Sequence, residues 1–235
     1  MTTYLNYYER HALDAVANTV RRFRSPVLLV DCGADVGVYA RLLLHRGVQP
    51  TDIITVEPNS RTFPILKANL AGLVSNVICF NGAVGDTRGR GGLQTPDYDP
   101  NQDRAAFITM TDEGDIEVET VDHLAINTAG SSVVLKVDVE GAELEVIRGA
   151  TETLRKAEDF VVQFEAHPAV AARSANDPME CLKHLISLGA KHWLCSVEET
   201  GEIFTDVTPD RPFFEVMSDA HIYDVVASTQ PLQAP

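Results

Sequence analysis

Apolar and polar positions follow two alternating rhythms along this chain. Leu5, Tyr8, Ala12, Leu13, Val16, Val20 and Phe23 recur at helical spacing, which predicts a helix over residues 4–23 that closes before Pro26. A short apolar run, Val27–Val30, then predicts a buried strand. Helical sequence over Val38–Arg46 ends at Gly47. A second strand, Ile53–Val56, runs into Glu57-Pro58-Asn59-Ser60. A helix over Thr62–Leu70 tolerates Pro64 in its first turn, and Val77–Phe80 is a third strand.

Strands alternating with helices at this interval imply right-handed crossovers and a parallel sheet, hence an α/β fold with helices on both faces. The rhythm breaks over residues 85–116, rich in Gly, Asp, Pro and Asn. They predict a surface hairpin or a loop near the site, with Phe107–Met110 as a candidate strand. Val118–Val121 and Val133–Val137 read as strands, followed by helical sequence to about Lys156. Phe160–Phe164 is a strand and Met179–Leu188 a helix stopped by Gly189. Trp193–Val197 and Tyr223–Ala227 close the sheet. Residues 1–25 form an N-terminal helical segment and residues 26–235 a single domain, with no internal repeat.

Composition narrows the function. The 235 residues carry 45% hydrophobic and 23% charged side chains and a formal charge of −15. That balance excludes the basic surface that a nucleic-acid partner or an anionic membrane requires. Arg21, Arg22 and Arg24 form one short basic group, read as a solvated helix end. Cys32, Cys79, Cys181 and Cys195 show no C-x-x-C spacing, which suggests neither zinc nor redox chemistry. Buried free thiols, no signal-like start and no apolar run long enough to span a bilayer predict a cytoplasmic protein.

The candidate chemistry lies at strand ends. After the first strand the chain reads Asp31-Cys32-Gly33-Ala34-Asp35-Val36-Gly37. Glycines there allow unusual φ values and close approach of the backbone to a ligand. Dinucleotides want G-x-G-x-x-G spacing, which this turn lacks, and Asp35 would place a carboxylate where a pyrophosphate should lie. A cofactor carrying a sulfonium and an ammonium suits acids better. Glu57, ending the second strand, offers lone pairs for both hydroxyls of a ribose. The ordered set Asp31, Gly33, Gly37 and Glu57 therefore points to S-adenosylmethionine.

Segments VDCGADVGVYA, VEPNSRTFPILKANL, NGAVGD and KVDVEGAELEVIRGA resemble the FkbM-type family of S-adenosylmethionine-dependent methyltransferases. KVDVEGAE is the most specific of them. The match runs from about Val27 to His167, with Asp35 standing where the family commonly has asparagine. The resemblance implies a class I methyltransferase fold, with a seven-stranded, mostly parallel sheet and one antiparallel strand near an edge. It implies O-methylation of a small-molecule hydroxyl on a sugar or natural product. It also implies cofactor contacts at Asp31, Gly33, Ala34, Gly37, Glu57 and Asn59, an adenine beside Asn81, Gly82, Ala83 and Val84, and Asp138 at the cofactor–acceptor boundary.

An aliphatic hydroxyl is a weak nucleophile, so a general base is useful. Asp138, Glu140 and Glu143 leave one strand end, and Glu165 and His167 leave the next. Glu140 and Glu143 also suit a helix N-terminus electrostatically. His167, with a pKa near neutral, is the base candidate, and Asp138 and Glu165 join it in the catalytic set. A divalent metal on Asp138, Glu165 and His167 is a weaker alternative that the sequence does not call for. Lys136, within a strand, is given no role. Two other readings stand beside the enzyme: a non-catalytic cofactor-binding protein on the same scaffold, and a nicotinamide oxidoreductase, which the turn spacing disfavours.

Overall fold

A computed structural model describes residues 9–95, 106–125 and 130–233. Twelve strands and nine helices are assigned among them. In chain order the first part comprises α1 (Arg10–Val20), β1 (Val27–Cys32), α2 (Val38–His45), β2 (Asp52–Val56), α3 (Phe63–Leu70) and β3 (Asn76–Phe80). Next come β4 (Ala83–Val84), β5 (Gly89–Gln94), β6 (Phe107–Met110), β7 (Ile116–Glu119), α4 (Val121–Leu124) and β8 (Ser132–Val137). The chain continues through α5 (Glu143–Arg148), α6 (Thr151–Lys156), β9 (Phe160–Ala166), α7 (Pro168–Ser174) and α8 (Pro178–Leu188). It ends with β10 (His192–Val197), β11 (Ile203–Phe204), α9 (Phe213–Val216) and β12 (Tyr223–Ser228).

The main sheet has eight strands in the order β11-β10-β12-β9-β8-β1-β2-β3. Strands β3, β2, β1, β8 and β9 pair in parallel, and β12 runs antiparallel between β9 and β10. Two small departures from the expected sheet have simple causes. A two-residue strand, β11, folds back antiparallel on β10 and raises the count from seven to eight. Among the described residues of 85–116, β5 and β6, the latter matching the expected strand Phe107–Met110, pair antiparallel and join β7 and β4 in a separate four-stranded sheet.

Strands β1 and β8 are buried at every position, as expected for strands covered on both faces. One face packs Leu28, Val30, Leu135, Val162 and Phe164 against Val146 and Ile147 of α5 and Leu182 and Leu185 of α8. The other packs Leu29, Val134, Val161 and Val226 against Leu13 and Val16 of α1, Leu43 of α2 and Leu66 and Leu70 of α3. The described part of the N-terminal helix thus belongs to this core; Leu5 and Tyr8 of the predicted helix lie outside the described residues. The stretch after β8 is two short helices meeting at Gly149-Ala150, where a Cβ on Gly149 would lie 2.0 Å from the Gly85 carbonyl oxygen.

Helix α8 shows how local sequence sets an element. The Asp177 carboxylate caps the Met179 N–H at 3.0 Å, Pro178 occupies the first turn, and Gly189 leaves the helix at φ +115°. Strand order reverses between β1 and β8, each hydrogen-bonded to the other and each leading away in opposite directions. In open α/β sheets, ligands bind beyond the strand ends at such a reversal.

Candidate cofactor and acceptor site

The turn after β1 is held by backbone. The Gly33 and Ala34 N–H groups both donate to the Val56 carbonyl at 3.0 Å, and Gly37 N–H donates to Ala34 at 2.7 Å. Gly33 and Gly37 adopt φ +81° and +82°. Their need for glycine comes from the chain itself: a Cβ on Gly33 would sit 1.8 Å from the Asp138 carbonyl oxygen, and one on Gly37 would press on Leu66 and Leu70. Asp35, at φ +46°, also lies in the left-handed region, which Asp and Asn tolerate better than most residues.

Glu57 is the hub of this half. Its two carboxylate oxygens accept the Asp35 and Asn59 N–H groups, each at 2.8 Å. Asn81 donates its side-chain amide to the Glu57 carbonyl at 2.8 Å. The Asn59 side chain accepts the Arg61 N–H. Ala34 and Ala83 are buried. Ala83 is in β4, paired with Val118, rather than in a loop. Burial first, and then the nearby Asp35, raise the Glu57 pKa against the lowering effect of its hydrogen bonds.

The other half is a buried row of polar side chains. On one sheet face, apolar Leu29, Val134 and Val161 give way toward the strand ends to Asp31, Lys136 and Gln163, which stand in register across β1, β8 and β9. Asp224 of β12 lies opposite Glu165 of β9. Lys136 is 1% exposed, and its Nζ lies 3.0 Å from Glu9 and 3.7 Å from Asp138. Gln163 donates to Glu9 and to Asp224 and accepts the Tyr39 hydroxyl at 3.0 Å.

So many carboxylates in one buried place cannot all ionise cheaply. Burial raises Asp31 to about 7, an effect that Lys136 partly offsets and Glu9, Asp138 and Glu57 reinforce. Burial, then Asp138, push Glu140 to about 7. Burial and Asp138 push Glu165 to about 10, and burial and Glu9 raise Asp224.

The acids predicted from sequence meet only in part. Glu165 and His167 line one small pocket with Glu143, Val170, Asn176 and Asp177. Asp138 faces Lys136 instead. The surroundings of Glu165 and His167 differ from those of a free carboxylate and a free imidazole. Burial and the neighbouring Asp138 favour the protonated form of Glu165, which can donate a hydrogen bond. His167 is the N-cap of α7, its Nδ1 accepting the Ala169 N–H at 3.1 Å. A neutral imidazole in that state bears its proton on Nε2 and has no lone pair free for a base. Burial, then Arg173, lower its pKa and keep it neutral. Among the described residues, no three His, Cys, Asp or Glu side chains are grouped to hold an ion.

Sequence reasoning missed Glu9, Asp224, Gln163 and Arg173, and it gave Lys136 no part. Arg173 donates to the Glu140 carbonyl at 2.7 Å and stacks 4.4 Å over the Phe107 ring of the small sheet. Only the placement of Lys136 beside Asp138 in KVDVEGAE carried a signal.

The strand order and the turn at its reversal define the class I S-adenosylmethionine-dependent methyltransferase fold. Residues 31–191 match the profile described as the Methyltransferase FkbM domain, and the chain belongs to that family. Its fold is similar to that of an FkbM methyltransferase from Methylobacillus flagellatus, at 17% identity and a TM-score of 0.50, over 95% of this chain and 50% of that one. The chain thus spans half the length of that protein. Geranyl diphosphate methyltransferase in complex with SAM is similar at 11% identity and a TM-score of 0.49, over 95% and 84% of the two chains. A SAM-dependent O-methyltransferase from Thermotoga maritima is similar at 11% identity and a TM-score of 0.45, over 96% and 67%. No curated protein matches the sequence. Among the described residues, no helix is long and apolar enough to cross a membrane.

Proposed function

We propose that this protein transfers a methyl group from S-adenosylmethionine to a hydroxyl of a small molecule, a sugar or a natural product. The observation that carries the reading is Glu57, fixed by two backbone N–H groups beside the Gly33–Gly37 turn at the strand-order reversal. Each of its oxygens keeps a lone pair for a ribose hydroxyl. The residues present fit the cofactor. Asp31 is 1% exposed with Oδ2 lacking a hydrogen-bond partner, an acid suited to a cationic ligand. Gly33, Ala34, Gly37, Glu57 and Asn59 would hold the cofactor, with Asn81 and Ala83 on the adenine side and Asp31 and Asp138 toward its charged end.

When bound, the cofactor supplies an electrophilic methyl on a cationic sulfur. The chain's part is to align the acceptor oxygen with that methyl and to take the hydroxyl proton. Asp138 stands at the boundary between the two halves. Glu140, held near neutrality, is a second proton acceptor. Glu165 can donate a hydrogen bond to the acceptor. A macromolecular polyanion is disfavoured as acceptor by the charge of −15. The three arginines lie in a cleft with Phe23, Glu158 and Asp159, at the opposite end of the strands. Turnover against a panel of sugars and hydroxylated natural products tests the reading. Methyl transfer to a hydroxyl that Asp138→Asn lowers about 10²–10⁴-fold is expected. Cofactor binding with no transfer to any hydroxyl, or transfer only to RNA, would overturn it.

A further inference from the structure

Helix α1 and the cofactor turn are joined by one continuous chain of contacts. Glu9, the residue before α1, is 7% exposed and adopts φ 41° and ψ 31°, a left-handed conformation that a glutamate rarely takes. Its carboxylate lies 3.0 Å from the Lys136 ammonium and accepts from Gln163. Lys136 also lies 3.7 Å from Asp138, two residues along the same strand end. Asp138 N–H donates to Cys32 at 3.0 Å, and its carbonyl packs against Gly33 so closely that no Cβ fits.

We infer that Lys136 is a positioning residue, clasped by Glu9, that couples the docking of helix α1 to the geometry of Asp138 and the cofactor turn. The clasp has the features of a two-ended joint. The Lys136 ammonium lies 5.6 Å from the Tyr39 ring centre, and the Tyr39 hydroxyl is tied to Gln163, so two sides of the lysine are walled by α2 and β9. Glu9, just before α1, and Asp138, just after β8, contact it, and its charge also acts on Asp31 of β1, Glu165 of β9, Asp224 of β12 and Glu198 in the turn after β10. Lys136 shares its charge between an acid on α1 and an acid in contact with the cofactor turn. A shift of α1 that frees Glu9 leaves Lys136 to Asp138, and a shift of Asp138 on ligand binding is felt at Glu9.

The inference rests on the cofactor reading above. Its test uses the full chain, with S-adenosylhomocysteine as the probe, in wild type, Glu9→Gln, Lys136→Met and the double variant. Hydrogen exchange by mass spectrometry reads the amides of α1, and calorimetry reads affinity. In wild type, S-adenosylhomocysteine should slow exchange in the first turns of α1 at least fivefold. Each single variant should exchange faster there without ligand, because the buried Glu9–Lys136 contact is broken from one side. The double variant should recover much of its ligand-free protection in α1, since both members of the Glu9–Lys136 contact are then uncharged. Ligand-linked protection of α1 should nevertheless be absent in all three variants, and affinity should stay at least fivefold below wild type. A merely structural ion pair would regain ligand-linked protection together with stability in the double variant, and that result overturns the inference. So does tight binding in wild type that leaves α1 exchange unchanged. Absence of any binding by wild type would instead overturn the cofactor reading itself.

Discussion

The two halves of the site are built from different materials. On the β1–β2 side, nearly every contact is made by backbone or fixed by it: the turn amides on Val56, and Glu57 on the Asp35 and Asn59 N–H groups. On the β8–β9–β12 side the contacts are between side chains drawn from distant parts of the chain, with Glu9, Lys136, Gln163 and Asp224 sharing one buried network. Backbone sites can be rigid at little electrostatic cost. In a buried network of acids around one lysine, protonation is set by the neighbours.

The largest expected effect breaks the backbone half. Gly33→Ala places a methyl 1.8 Å from the Asp138 carbonyl oxygen at φ +81°. The left-handed conformation alone costs an L-residue about 1–2 kcal/mol. Displacing the backbone adds to that, so urea unfolding should show a loss exceeding 2 kcal/mol on the same scale. A midpoint within error of wild type would show that the turn is not packed as described.

The second effect separates two acceptor-side residues. Asp138→Asn should lower turnover about 10²–10⁴-fold, the usual range for losing a general base. His167→Ala should lower it by no more than about tenfold, since losing an N-cap costs about 0.5–2 kcal/mol of local stability rather than a proton acceptor. Equal losses in the two variants would restore His167 to the chemistry.

A smaller effect is carried by pH. The folded-state pKa of Glu165, about 10, lies above its ordinary value of 4.5. The folded protein therefore holds a proton that the unfolded chain releases, and stability from this group is full below about 4.5 and lost as pH rises toward 10. Glu165→Gln keeps the shape without the charge. Its advantage in denaturation midpoint over wild type should grow from pH 5 to pH 9. An advantage independent of pH would mean that Glu165 is already ionised and paired.

Much of the backbone half was legible in sequence, because turns carry their own signals. Gly33, Gly37 and an acid ending the next strand mark the proposed cofactor side by spacing alone. The reason for glycine was not legible: only the fold shows that Gly33 yields to Asp138 and Gly37 to α3. The acceptor half was half-read. Asp138 and Glu165 follow from strand ends, and β8 and β9 are indeed neighbours. His167 stood out in sequence for its near-neutral pKa, but its part as the cap of α7, which Pro168 opens, was not read. Glu9 and Asp224 lie 127 and 88 residues from Lys136 in sequence, and no local pattern brings them together. The small sheet escaped because β5, Gly-Arg-Gly-Gly-Leu-Gln, has neither alternation nor β-branched residues.

The smallest effect concerns Asp35, where the family commonly carries asparagine. Asparagine keeps the left-handed turn and the N–H bond to Glu57 while removing a like charge beside it. Asp35→Asn should change S-adenosylhomocysteine affinity by less than about threefold, since partly exposed charge pairs contribute under about 1 kcal/mol. A tenfold change in calorimetry would make Asp35 a direct cofactor contact.

The most direct test of the central claim is calorimetry of S-adenosylhomocysteine and NAD on wild type and Glu57→Ala. Wild type should bind S-adenosylhomocysteine and not NAD. Glu57→Ala should weaken that binding by about 1.5–3 kcal/mol, roughly 10- to 150-fold, the range for a charged hydrogen-bond acceptor. Unchanged affinity in Glu57→Ala, or NAD bound as tightly as S-adenosylhomocysteine, would contradict the account.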